Sequence, residues 1–340
     1  MATFSPRTIT KDLLGELPER SRAVIVGRFG LGKAGEKMTL ETIGQEYDIT
    51  RERVRQIESH GLAAIRKSDS YDKHKAAFTE LAKAVKSVGS VVSEDMLLDE
   101  LAKNKTDQNH VYFMLVVGDP FTLEKEDNSF VRRWHVDGEL SDRVHAALET
   151  LHEAIDPEHL VPEEEFMQIF TKHLEEAGIK HKDPNFVNRW LGLTKKISRN
   201  PLGEWGHADS SHVRVKSMRD YAYLTLRRHG SPMHFTEVAQ QIGKLFGKKA
   251  HPATCHNELI KDKRFVLVGR GLYALSDWGY APGVVRDVVK GILSKEGPLT
   301  RDEIIERVKR ERYVKNATII VNLQDPAFKR TSDGKYALAK

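Results

Sequence analysis

Between residues 39 and 67 the apolar side chains fall into two short runs of helical spacing, separated by a tight break. A first helix starting near Thr39 turns Leu40, Ile43 and Gly44 toward a partner. The chain breaks at Tyr47-Asp48-Ile49, and Thr50 is placed to cap a second helix that runs to about Lys67. On that helix Val54, Ile57, Leu62 and Ile65 return at roughly helical intervals and are predicted to face the core. Arg51, Glu52, Arg53, Arg55, Gln56 and His60 are left pointing away. The pattern predicts a helix-turn-helix.

The rest of the chain repeats a weaker pattern, one unit written four times. The last two copies are the clearest. Each runs from an opening helix through a Gly-Ser-Pro or Gly-Pro turn to a short helix, a third helix and a two-stranded hairpin. Phe265 and Phe328 stand 63 residues apart, as do Tyr273 and Tyr336 in the Gly-x-Tyr-Ala-Leu ending that both copies share. That order predicts a winged helix-turn-helix for residues 215–279 and another for 282–340. Residues 74–137 fit more loosely, with a helix in the stretch from Asn109 to Gly118 and a hairpin between Phe121 and Asp137. Residues 141–213 fit more loosely still, around a Gly-rich turn near Pro201 to Trp205. With residues 1–70 holding the helix-turn-helix, five segments are expected in a mainly α chain.

A chain of 340 residues can bury ample core in two or three domains or more. No apolar run approaches the ~18–20 residues of a membrane span, and the first residues lack a signal-peptide core. The single cysteine, Cys255, excludes an internal disulfide framework and fits a reducing cytoplasm. The net charge is +5, but its distribution is uneven: +3 over residues 1–67, −10 over 68–213 and +12 over 214–340. The basic C-terminal third is therefore the better candidate for non-specific DNA affinity. The acidic middle would be repelled by phosphate and suits a protein contact or none.

Long basic and amide side chains at the start of a second helix suit the reading of base edges in a major groove. Arginine grips guanine at two points, glutamine does the same with adenine, and glutamate accepts from the cytosine amine. The start of the Thr39 helix can offer backbone N–H groups to a phosphate. In the third and fourth copies, Arg227, Arg228, Lys248, Lys249, His251, Lys261, Lys263, Arg264 and Arg270 form one basic cluster. Lys309, Arg310, Arg312, Lys315, Lys329 and Arg330 form another. Tyr221, Tyr223, Phe235, Phe265, Tyr273, Trp278 and Tyr336 read as core side chains and not as platforms for bases.

Other chemistries are not supported. The run from Gly30 to Lys37 is glycine-rich, but a phosphate loop needs Gly-Lys-Ser/Thr after four spacers, and here Gly35 is followed by Glu36. His251, Cys255 and His256 lack a second pair at zinc-finger spacing. Glu163, Glu164 and Glu165 follow Pro162 and suit the first turn of a helix. With no nucleophile motif, neither catalysis, a metal, a cofactor nor a small-molecule substrate is expected.

The segment from Leu17 to Glu58 carries a recognisable series of motifs: Pro18-Glu19-Arg20, Arg28-Phe29-Gly30, Thr39-Leu40-Glu41, Gly44, and Thr50-Arg51-Glu52-Arg53-Val54-Arg55-Gln56-Ile57-Glu58. Over about residues 12–67 it resembles region 4 of sigma-70-type initiation factors. The resemblance implies reading of a −35 promoter element and contact with the flap of the polymerase beta subunit. Carried over by position, it implies base contacts from Arg51, Glu52 and Gln56. It places Arg20, Arg28, Thr39, Leu40, Glu41, Arg53 and Arg55 near phosphates. No aromatic-rich promoter-melting segment precedes the module, so promoter opening by this chain alone is not expected.

A second resemblance rests on Gly230-Ser231-Pro232 before a Phe-Thr-Glu-Val helix, and on Arg264-Phe265 followed by Gly271-Leu272-Tyr273-Ala274-Leu275. Residues 217–278 resemble the HARE-HTH domain, a family that includes the N-terminal domain of the RNA polymerase delta subunit and modules of restriction and chromatin proteins. Phosphate contacts are expected there from Lys248, Lys249 and Lys263. The expected fold is thus a sigma region 4-type helix-turn-helix followed by tandem winged helix-turn-helix domains with small β-hairpin wings. The expected partners are double-stranded promoter DNA and core RNA polymerase, in the cytoplasm of a bacterium and associated with its nucleoid. Two other readings stay open: a delta-like polymerase subunit working through protein contacts, and a DNA-binding protein linked to DNA modification or defence.

Overall fold

The structure, a computed structural model, describes residues 5–180, 183–280, 283–312 and 314–339. The ends of two expected segments, residues 1–4, 282 and 340, lie outside the described residues. The chain divides into two compact units: Met1–Asp156 with Val161–Ser198, and Pro157–Leu160 with Arg199–Lys340.

The first unit opens with four helices: α1 (Pro6–Gly15), α2 (Glu19–Phe29), α3 (Leu40–Glu46) and α4 (Arg51–Arg66). Side-chain oxygens start three of them, with Ser5, Thr39 and Thr50 accepting from the N–H groups of Thr8, Thr42 and Arg53. Gly30 ends α2 in the left-handed region at φ 64°. The chain continues through α5 (Asp69–Lys73), α6 (Lys75–Ser87), β1 (Val91–Ser93), α7 (Glu94–Leu101), α8 (Lys105–Val117), β2 (Thr122–Glu124) and β3 (Arg133–His135). The strands form an antiparallel sheet in the order β1-β3-β2, with Val92 and Leu123 both opposite Trp134. Helix, short strand, two helices and hairpin are the parts of a winged helix-turn-helix.

Helices α9 (Gly138–Ala154), α10 (Glu163–Glu176) and α11 (Pro184–Leu191) follow, then the short strands β4 (Ile197–Arg199) and β5 (Trp205–His207). The stretch 141–213, expected as one segment, is split between the units after Ser198. The reason is local: its middle docks on the preceding wing. The Trp190 indole donates to the Gly89 carbonyl at 3.1 Å, and the Val131 N–H donates to the Leu193 carbonyl at 2.9 Å.

The second unit holds two winged helices. One has α12 (Met218–His229), β6 (Met233–His234), α13 (Phe235–Phe246), α14 (Pro252–Lys261), β7 (Phe265–Gly269) and β8 (Leu272–Leu275), with strand order β6-β8-β7. The other has α15 (Val285–Glu296), α16 (Arg301–Glu311), α17 (Asn316–Asn322), β9 (Phe328–Arg330) and β10 (Tyr336–Leu338). The same pairing recurs in both, since Met233 lies opposite Tyr273 and Leu299 bridges to Tyr336. The architecture is therefore mainly helical, with small antiparallel wings, as the sequence pattern predicts.

Two cores organise the helix-turn-helix. A small one joins Val24, Ile43 and Val54, with Met38, Leu40, Tyr47, Ile49 and Ile57 around it. A large one spans what the sequence presents as separate segments. It joins Ile9, Leu13, Leu14, Leu17, Ile25, Phe29 and Ile65 to Tyr71, Phe78, Leu81, Phe113, Met114 and Val117. Phe29 meets Phe113 edge to face, with ring centroids 5.3 Å apart.

Candidate nucleic-acid interface

Helix α4 is held in place from its turn and from its far end. In the turn, Asp48 adopts φ 52° and the Ile49 N–H donates to the Gly44 carbonyl at 2.9 Å. A Cβ on Gly44 would lie 2.6 Å from the Ile49 carbonyl oxygen, so only glycine lets α3 and α4 approach this closely. Further along, a Cβ on Gly61 would lie 2.7 Å from Ile25, where α4 crosses α2. Val54 and Ile65 are completely buried on the inner face. The opposite face is fixed by these contacts and left in solvent.

On that outer face Arg51, Glu52, Arg53, Arg55 and His60 are exposed and Gln56 is half-buried. Four of them are paired among themselves. Arg55 clasps Glu52 through two bonds, Nε to Oε2 at 2.9 Å and Nη2 to Oε1 at 2.6 Å. That hydrogen bond holds the Glu52 carboxyl below its usual range, so it stays an acceptor. Arg53 donates to the Gln56 Oε1 at 3.1 Å, leaving the Gln56 amide NH2 outside that bond. Arg51 makes no hydrogen bond or ion pair through its side chain among the described residues. It needs no exchange of partner to reach a ligand, whereas the Glu52–Arg55 pair must rearrange or act as a unit.

The other residues named from sequence have mixed surroundings. Arg20 is exposed at the start of α2. Arg28 is engaged internally, pairing with Glu58 at 3.3 Å and donating to the Met38 carbonyl at 3.0 Å. Thr39 is spent on capping α3, Leu40 packs into the small core, and Glu41 is exposed in the first turn of α3. Lys248, Lys249 and Lys263 are exposed in the second unit, the first two just before α14 and the third just after it. The structure thus leaves Arg51, Glu52, Arg53, Arg55 and Gln56 on the side of α4 away from the buried Val54, and puts the three lysines at the two ends of a different helix.

The structure also shows what the pattern did not reveal. Helix α8 is the second helix of its own helix-turn-helix, yet Asn109, His110, Val111, Phe113, Met114, Leu115 and Val117 are all buried. Asn109 donates to the carbonyls of Gly30 at 3.0 Å and Gly35 at 2.9 Å, tying α8 to the loop after α2. Arg66, in the last turn of α4, donates to the carbonyls of Val116 at 2.7 Å and Val117 at 3.0 Å. It thereby satisfies carbonyls that the end of α8 would leave open. Lys37 lies 4.2 Å from the centre of the Tyr112 ring, and burial lowers its pKa. The signal was present in the sequence, because His110 to Val117 is apolar on nearly every side and a helix apolar all round is buried.

In the second unit, part of the basic cluster is likewise internal. Arg264 bridges Asp220 at 2.9 Å and Asp262 at 2.7 Å. Burial alone would raise both carboxyls, but the hydrogen bonds they accept outweigh it and hold them below their usual range. Arg312 is buried and donates to the Leu267 carbonyl. Cys255 is buried, which pushes its thiol up to about 11. Tyr223, Phe265 and Tyr273 belong to the core of the α12–β8 domain, with Tyr221, Phe235 and Trp278 packed against it. Among the described residues no three His, Cys, Asp or Glu side chains are placed to share a metal ion, and no helix is long and apolar enough to cross a membrane.

Comparison with known families matches residues 13–67 to sigma-70, region 4. It matches residues 216–278 to HARE-HTH, the helix-turn-helix domain named in part for ASXL and restriction endonuclease proteins. Among curated proteins, RNA polymerase principal sigma factor HrdD of Streptomyces viridifaciens is 43% identical over 56 residues, 16% of this chain and 17% of that protein. RNA polymerase sigma factor RpoD of Helicobacter pylori strain 26695 is 50% identical over 56 residues, 16% of this chain and 8% of that protein. The chain therefore spans less than a fifth of the length of these relatives. Both matched segments are of DNA-binding helix-turn-helix type, the first linked to transcription, and neither belongs to an enzymatic family.

Proposed function

We propose that the protein is a bacterial, cytoplasmic transcription factor that reads a −35-like promoter element with the N-terminal half of α4. The observation that carries this reading is the face of α4 itself. Its inner side is locked in two cores, while Arg51, Glu52, Arg53, Arg55 and Gln56 stand together on the outer side. Arg51, Glu52 and Gln56 read bases. Arg53, Arg55, Arg20 and the α3 start at Thr39, Leu40 and Glu41 lie along the phosphates, with Arg28 bracing α2 against α4. Lys248, Lys249 and Lys263 add sequence-independent grip from the second unit, and tethering the two raises apparent affinity without new contacts. The similarity to sigma factors supports core RNA polymerase as a partner. Contact with the beta flap would have to use a surface other than the apolar side of α1 and α2, which the chain's own α8 covers. Within this reading, 1–70, 74–137, 215–279 and 282–340 act as modules, and 141–213 joins the two units.

A second reading is an accessory polymerase subunit that works through protein contacts. It is favoured by the net charge of −10 over residues 68–213 and by the burial of α8. Selection of bound duplexes from a random library, with the full chain alone and with core polymerase, separates the two. A motif enriched by the chain alone and lost with Arg51→Ala supports promoter reading. A motif that appears only with polymerase makes the chain a sigma-like or delta-like polymerase partner. No enrichment in either arm rejects promoter reading, and co-purification with core polymerase in high salt then supports the accessory role.

A further inference from the structure

Between α1, the loop after α2 and the side of α8 lies an open cavity of about 650 Å3. Arg7 and Lys11 of α1, Arg22 of α2, Lys33 of the loop and His110 of α8 line it, with Leu14 and Leu31 as apolar wall. Among the described residues no aspartate or glutamate lines it. The neighbouring carboxylate, Asp107, is already paired with Arg7 at 2.5 Å. Arg22 uses Nε and Nη2 on the carbonyls of Leu14, Gly15 and Leu17, and its Nη1 takes no part in those bonds. The side chains of Lys11 and Lys33 are exposed and make no ion pair among the described residues. Thr10 and His110 are buried in the same wall, and the Thr10 Oγ1 and His110 Nδ1 have no hydrogen-bond partner. Burial first, and then the charge of Arg7, lower the His110 pKa and so favour the neutral ring.

Cations gathered round one cavity repel each other unless an anion joins them. The adjoining segment 68–213 carries an excess of ten acidic charges, yet none is set here beyond Asp107. The volume is that of a pocket for a small molecule. We infer that this cavity binds a phosphorylated small molecule of mononucleotide size, its phosphates among Lys11, Lys33 and Arg22 and its organic part against Leu14 and Leu31. The glycine-rich run from Gly30 to Lys37 takes part through the Lys33 point charge, not as a ring of backbone N–H groups. Because α1, α2 and α8 all supply wall, the ligand ties the helix-turn-helix to its neighbour.

The test is calorimetric titration of the full chain with ATP and with GTP, without added metal. The Lys11→Glu/Lys33→Glu double variant and a Lys103→Glu control on the exposed surface run beside it, and circular dichroism melting checks that both variants fold. The expected result is saturable binding of one nucleotide per chain, at least tenfold weaker in the double variant and unchanged in the control. Absence of saturation at millimolar nucleotide overturns the proposal, as does equal weakening in the control or none in the double variant. A double variant that loses only affinity for duplex DNA, where the parent ignores both nucleotides, assigns these cations to the DNA backbone and also overturns it.

Discussion

Helices α4 and α8 hold the same place in their local folds, each the second helix of a helix-turn-helix, and they have opposite fates. On α4 only Val54, Gly61 and Ile65 are buried, and the charged face is in solvent. On α8 seven of thirteen positions are buried, including the polar Asn109 and His110. One helix therefore keeps an open polar face and the other is consumed as core. The motif supplies a geometry, and the side chains on its outer face decide whether that geometry can read anything.

The comparison can be broken most forcefully at Phe113, which is fully buried where the two segments meet. Phe113→Ala should cost about 3–5 kcal/mol of stability in urea denaturation. DNA affinity should fall only in proportion to the unfolded fraction. A variant as stable as the parent would mean that the shared core does not hold the unit together. On the other helix, Arg51→Ala should leave the melting curve within about 0.5 kcal/mol of the parent while costing ~1–3 kcal/mol in discrimination between selected and unrelated duplexes. Unchanged discrimination would remove Arg51 from the reading face. A smaller loss is expected at the start of α4, where Thr50→Ala removes the cap on the Arg53 N–H and should cost about 1 kcal/mol in thermal denaturation. The weakest effect belongs to the exposed Lys248. Lys248→Ala should weaken all duplexes alike and reduce the salt dependence of binding by about one counterion. A loss confined to one sequence would show that it touches bases instead.

The helix-turn-helix was legible because its signals are local. Thr50 caps the helix it was expected to cap, Gly44 sits where a side chain would collide with Ile49, and Val54 and Ile65 face inward. The wings were legible through turn residues and the recurring Tyr273 and Tyr336 strands. The association of residues 1–67 with 68–137 was not. Ile9, Leu13 and Phe29 have the same spacing whether they face their own segment or another, and periodicity carries no address. The same holds for charge. Arg28 and Arg264 read as surface cations, but Glu58 in the first case and Asp220 in the second hold them inward over separations that local pattern does not report.

The bonds from Asn109 to the Gly30 and Gly35 carbonyls, and from Arg66 to the end of α8, bear on the portability of the N-terminal part. A fragment cut near residue 70 would keep the exposed polar face of α4 but uncover Ile9, Leu13, Phe29 and Ile65 to water. Such a fragment would be sticky and short of stability, and grafting it onto another protein would carry over the polar face of α4 without the scaffold that keeps it in shape.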